Sequence, residues 1–156
     1  MTVRKAIVLN AGQLEQLQSG DRLDLGNTVN RTNNNVGAIN IGQPVYSVSG
    51  TAVDLAQANA QATIGVAGLV VETSIDADAN GDILPDGILT ATTAEWDDVT
   101  GQNGGLTPGA NYFLDAASAG KLTATAPTVP GKFVVRVGHA LSATELEVEI
   151  QQPIKL

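Results

Sequence analysis

The chain has 156 residues, 8 basic and 16 acidic side chains, no cysteine and a formal net charge of −8, which fits one compact domain. Without cysteine there is no disulfide scaffold, no zinc–thiolate site and no thiol nucleophile. Hydrophobic residues make up 43% but aromatics only 3%, so a core is built from Val, Ile, Leu and Ala, and neighbouring subunits are expected to cover part of the remaining apolar surface.

Residues 1–42 read as an extended N-terminal arm with short strands, packed on a partner or on its own domain. The apolar run Ala6 to Leu9 is four residues long before Asn10, too short for a secretory core, so no export signal is expected. Gly12, Gly20 and Gly26 then alternate with Leu14, Leu17, Leu23 and Leu25. An Asn-rich stretch follows, from Asn27 and Asn30 through Asn33, Asn34 and Asn35 to Asn40. Asn and Gly favour turns and left-handed backbone over long regular elements. The bases of this arm, Arg4, Lys5, Arg22 and Arg31, are the candidate partner-binding residues.

Residues 43–156 read as a β domain, because short β-prone runs recur between Gly, Pro, Asn and Asp. Strands are predicted at Pro44–Val48, Gly65–Thr73, Ile88–Thr92, Tyr112–Leu114, Lys121–Thr125, Lys132–Val137 and Glu145–Ile150. Helical turns are predicted at Asp54–Asn59 and Thr93–Val99. In the second, Thr92 and Glu95 have capping-box spacing, and Trp96 and Val99 share one face with Trp96 as core anchor. The fold class expected is all-β: a compact β-sandwich or barrel-like domain with short helical turns and the extended arm.

Two strands allow a register to be predicted. Glu145, Glu147 and Glu149 alternate with Leu146, Val148 and Ile150, and Lys132, Val134 and Arg136 alternate with Phe133, Val135 and Val137. Antiparallel pairing would set Arg136 opposite Glu145 and Lys132 opposite Glu149, each pair contributing about 0.2–1 kcal/mol. A one-residue slip would bury three carboxylates.

Charge placement narrows the function classes. No base falls between Arg31 and Lys121, while ten acids do, so a phosphate-binding surface is excluded and no nucleic-acid partner is expected. The longest stretch without a polar side chain, Ile64 to Val71, is eight residues, against roughly 20 for a membrane-spanning helix, and no membrane partner is expected.

Three constellations invite a chemical reading. A Ser-His-Asp arrangement would need His139, the sole histidine, beside Ser142, but no Gly-x-Ser-x-Gly elbow is present. Asp97 and Asp98 could be imagined as a glycosidase couple, yet neighbours on a helical turn point apart, and few rings are available to stack on a sugar. Asp76-Ala-Asp78-Ala-Asn80-Gly81-Asp82 repeats the first seven positions of an EF-hand calcium loop. The twelfth position is Gly87 instead of Glu, Asp86 is one residue out of phase, and the flanks read as strands. An Asn-Gly turn between strands is the competing reading. Gly104 to Gly109 is glycine-rich but has no Lys and no following helix, so it is a turn and not a phosphate cradle. No enzyme activity, metal or cofactor is expected.

Three stretches carry a resemblance. Gly12-Gln-Leu-Glu-Gln-Leu-Gln-Ser-Gly-Asp-Arg-Leu23, Gly105-Leu-Thr-Pro-Gly-Ala-Asn-Tyr-Phe-Leu-Asp115, and Val137-Gly-His-Ala-Leu-Ser-Ala-Thr144 with the closing Pro153-Ile-Lys-Leu156 resemble virion structural proteins of tailed bacteriophages. That group includes capsid decoration (cement) proteins and head or tail fibre components, and the similarity spans almost the whole chain. The resemblance implies a β-rich, often trimeric particle component on the outer surface of a virion, made in the host cytoplasm. It implies as partners the major capsid protein of the head and further copies of the chain in a homotrimer. A fibre or receptor-contact component is the alternative. No catalytic residue is carried over, and the Asp76–Asp82 loop is not part of the resemblance.

Overall fold

The computed structural model describes residues 7–10, 13–16 and 27–156. Strands β1 (Ile7–Asn10) and β2 (Gln13–Gln16) form an antiparallel hairpin. Seven strands follow: β3 (Val29–Asn33), β4 (Ile39–Asn40), β5 (Pro44–Ser49), β6 (Ala52–Leu55), β7 (Val66–Val70), β8 (Ser74–Ile75) and β9 (Asn80–Leu84). Five of them close a barrel in the order β3-β6-β5-β7-β9, because β9 returns to pair with β3. The β3–β6 pair is parallel and the others are antiparallel. Strands β4 and β8 pair with each other as a short antiparallel ribbon.

A five-stranded barrel has a narrow interior, since diameter grows with strand number. Its filling is accordingly aliphatic: Ile39, Val45, Val53, Val70, Ile75 and Ile83 form one buried cluster. Strands β7 and β9 carry side chains on two buried faces. Val70 and Ile83 are register partners and point into the barrel, while the adjacent partners Leu69 and Leu84 belong to a second core outside it. This double burial explains the near-continuous apolar run from Ile64 to Val71.

The second half comprises β10 (Asp86–Thr90), α1 (Thr93–Thr100), β11 (Asn111–Leu114), β12 (Leu122–Thr123), β13 (Phe133–Val134), β14 (Arg136–Ala140), β15 (Glu145–Glu149) and β16 (Ile154–Lys155). The order β10-β15-β14-β11-β12 makes an open five-stranded sheet, and β13 and β16 form a separate two-stranded ribbon. The inner face of the sheet, α1 and the outer wall of the barrel enclose the larger core, which holds Trp96, Tyr112 and Phe133.

Helix α1 forms as its spacing predicts. Thr92 caps it, Glu95 Oε2 accepts from the Thr92 amide at 2.7 Å, and Gly101 ends it in the left-handed region at φ 67°. The backbone and hydroxyl hydrogen bonds from Thr92 hold the Glu95 carboxyl below the ordinary glutamate pKa. Trp96 is fully buried, and its indole Nε1 donates to Thr144 O at 3.0 Å. Gly42, at φ 78°, lies against that ring, and a Cβ there would approach Trp96 Cζ3 to 2.9 Å. The tryptophan thus joins helix, sheet and barrel, as an anchor should.

The fold is all-β with a closed barrel, and three local expectations change. Asp54 and Leu55 end strand β6 instead of opening a helical turn, because the ladder with β5 continues through Val45↔Leu55 and Ala56 N donates to Pro44 O. The segment 132–137 divides: Phe133 and Val134 pair with β16, and β14 begins at Arg136. In the hairpin, Leu141 instead of Arg136 faces Glu145, five positions further along, since Gly138, His139 and Ala140 prolong β14 into a tight turn. This odd offset would turn the glutamates inward were it not for a bulge. Tyr112↔Gly138 is followed by Phe113↔Arg136, leaving Val137 as the extra residue, so Val135, Val137 and Ala140 are all buried. Arg136 reaches Glu149 instead, with Nη1 3.0 Å from Oε2.

Candidate functional site

Residues 27–42, at the end of the expected arm, contribute β3 and β4 to the barrel half of the molecule. Of the four bases expected to bind a partner, Arg4, Lys5 and Arg22 lie outside the described residues. Arg31 is in β3 opposite Gly81. Its Nη1 donates to Asn30 O at 2.9 Å, and its buried Nε has no acceptor among the described residues. The residue as a whole is half-buried.

The calcium-like segment is a tight turn followed by a strand. Asp78 occupies the left-handed region at φ 62°, Ala79 N donates to Asp76 O at 3.1 Å, and Asn80 and Gly81 lie in β9. The turn therefore sits three residues before the Asn-Gly pair. Gly81 serves close approach, because a Cβ would lie 2.4 Å from the Ile75 side chain. Asn80 and Asp82 face β3 across the ladder: Thr32 Oγ1 donates to Asn80 Oδ1 at 2.7 Å, and Asn30 Nδ2 donates to Asp82 Oδ1 at 2.8 Å. Two of the four candidate oxygen ligands, Asn80 and Asp82, thus hold strands together. Among the described residues no group of three or more acidic or histidine side chains converges on one point.

Asn33 was legible only as part of a turn-rich stretch, and it proves to be the organiser of this end. It is fully buried and donates from Nδ2 to Gly37 O at 2.9 Å and to Ile75 O at 2.8 Å, while Oδ1 accepts from Asn35 N at 2.7 Å. Its backbone also bonds the turn, accepting from Asp78 N and donating to Ala79 O. An asparagine satisfied on every side gives a rigid tip and no free ligand group.

The remaining constellations are also structural. Asp97 accepts from the amides of Gly104 and Gly105 at 3.0 and 2.7 Å and so folds the glycine loop back on α1, whereas Asp98 is exposed and its carbonyl accepts from Lys121 Nζ. Ser142 donates to Glu145 Oε2 at 3.2 Å, while His139 Nδ1 lies 3.6 Å from Glu147 Oε2 on the outer sheet face. Each residue has its own acidic partner, and neither bonds the other. One open cleft of about 550 Å³ lies beside Asp115, Thr125 and Lys132, and another of about 420 Å³ lies between α1 and the barrel beside Glu95, Asp98 and Lys121.

Two stretches distant in sequence are adjacent in space. Leu106 N donates to Ala143 O, Gly109 N to Ala140 O and Ala140 N to Ala110 O, after which Asn111↔His139 and Tyr112↔Gly138 pair as β11 and β14. Tyr112 Oη seals the unit, accepting from Thr107 N at 2.9 Å and donating to Gln102 Oε1. Gly105, at φ 86°, makes the contact possible, since a Cβ there would lie 2.3 Å from Ala143 O.

No family model and no curated protein matches the sequence. Among solved structures, a chain from "The capsid of Myoviridae Phage XM1" is similar over 94% of this chain and 93% of that chain, at 16% identity and a TM-score of 0.45. No helix among the described residues is long and apolar enough to cross a membrane.

Proposed function

We propose that the protein is a structural component of a tailed-phage virion, a decoration (cement) protein that binds the major capsid protein of the head and stabilises the shell. The observation that carries this reading is the joining of the resembling stretches. Gly105–Asp115 and Val137–Thr144 resemble phage virion proteins separately in sequence, and they interlock through paired strands, a shared loop and the buried Tyr112.

The chemistry of the surface is compatible with adhesion. Asn80 and Asp82 are engaged in the barrel ladder and Asp97 in loop closure. A bridging protein needs a rigid body and a segment that reaches a neighbour, and binding only the assembled shell stabilises that shell by mass action. In this reading Arg4, Lys5, Arg22 and Arg31 contact the shell or neighbouring copies, and the acidic middle of the chain is turned away from the shell. Removing the first ten residues is expected to abolish binding to empty heads while the β circular-dichroism signal is retained. Undiminished binding would overturn the orientation, and binding to host envelopes instead of heads would favour the fibre or receptor role.

A further inference from the structure

We infer that two copies of this chain associate head to tail, the outer face of the β13–β16 ribbon of one copy docking on the outer face of the β10–β15 sheet of the next. The ribbon has one strongly apolar face. Ile154 and Val129 are 64% and 59% exposed, and Leu156 is exposed beside them. Hydrogen bonds gather these groups: Lys132 N donates to Val129 O at 3.1 Å, Gly131 N to Leu156 O and Leu156 N to Lys132 O, both at 3.0 Å. Register places Val134 opposite Ile154, so by strand parity Lys132, Val134, Ile154 and Leu156 share this face. Lys132 has no ion-pair partner among the described residues, and it is the sole cation on that face.

The sheet offers the complement. Ile88 is 57% exposed and lies opposite Glu147, and Asp86 lies opposite Glu149 one step along the same face. Arg136 pairs with Glu149 and His139 Nδ1 lies 3.6 Å from Glu147 Oε2, while Asp86 and Glu145 on the same face have no ion-pair partner among the described residues. An apolar patch centred on a lysine thus matches an apolar residue framed by carboxylates. Neither patch complements itself, because lysine would meet lysine and carboxylate would meet carboxylate. The contact is therefore heterologous, the kind that closes into a ring when the rotation permits. It needs no particle, so its failure would leave the virion reading intact.

Sedimentation equilibrium of the full-length protein across a concentration series tests this. The wild type is expected to self-associate, and Lys132→Glu or Glu147→Lys alone is expected to weaken association at least about tenfold. Carrying both reversals on one chain is expected to restore it, with circular dichroism checking that each variant is folded. A wild type that stays monomeric, association indifferent to either reversal, or a double reversal that fails to recover would each overturn the proposal.

Discussion

The barrel and the open sheet solve the same problem with different materials. Inside the barrel six aliphatic side chains make a complete core without a ring, whereas the sheet core gathers Trp96, Tyr112 and Phe133 between sheet, helix and barrel wall. Closure pairs every strand and leaves little volume, so Ile and Val suffice. An open sheet must be covered, and the few large residues of the chain are placed where the covering happens. A composition of 3% aromatic is therefore not a weak core but a core with its rings at one junction.

The sharpest way to break this comparison is to remove the junction. Trp96→Ala empties a fully buried site touching both halves and is expected to cost about 3–5 kcal/mol in urea unfolding. Because Leu69 and Leu84 make the barrel wall part of the sheet core, one transition is expected; separate barrel and sheet transitions would show the halves to be independent. Gly81→Ala tests the barrel alone by forcing a methyl against Ile75, with an expected loss of about 1–3 kcal/mol. Thr92→Ala removes the cap of α1 and is expected to cost about 1 kcal/mol.

Smaller effects follow from charge. The Glu95 carboxyl is held below its ordinary pKa by the Thr92 hydrogen bonds, so its stabilisation is present above the unfolded value and lost as pH falls through the folded one. Wild type is thus expected to exceed Glu95→Gln in stability at neutral pH, the difference closing in acid; a gap that widens in acid would contradict the capping account. Glu149→Gln breaks the exposed pair with Arg136 and is expected to change stability by less than about 1 kcal/mol, with the residual effect fading in salt.

What could be read from the sequence follows the range of the interactions. Helix α1 and strands β5, β7, β11 and β15 announce themselves within a few residues, through a capping box, alternation or an apolar run. The closure of β3 on β6 and β9 joins segments some 20 and 50 residues apart, and composition around Asn27–Asn40 spoke only of turns. The hairpin shows the limit most clearly: both faces were assigned correctly from parity, yet the bulge at Val137 moved the register, and only the β11 ladder reveals it. Of the site, the capping box of α1 and the turn before Tyr112 are legible, whereas the turn expected at Asn80-Gly81 falls at Asp76–Ala79. Asn33 and the β13–β16 ribbon are not legible, because their roles depend on partners far along the chain.

The most direct test of the adhesive role adds the purified, labelled protein to empty phage heads that lack it and follows bound copies and the temperature at which the heads come apart. Saturable uptake at a fixed number of copies, with a higher disruption temperature, is the predicted result; heads that take up none and disrupt at an unchanged temperature would contradict it.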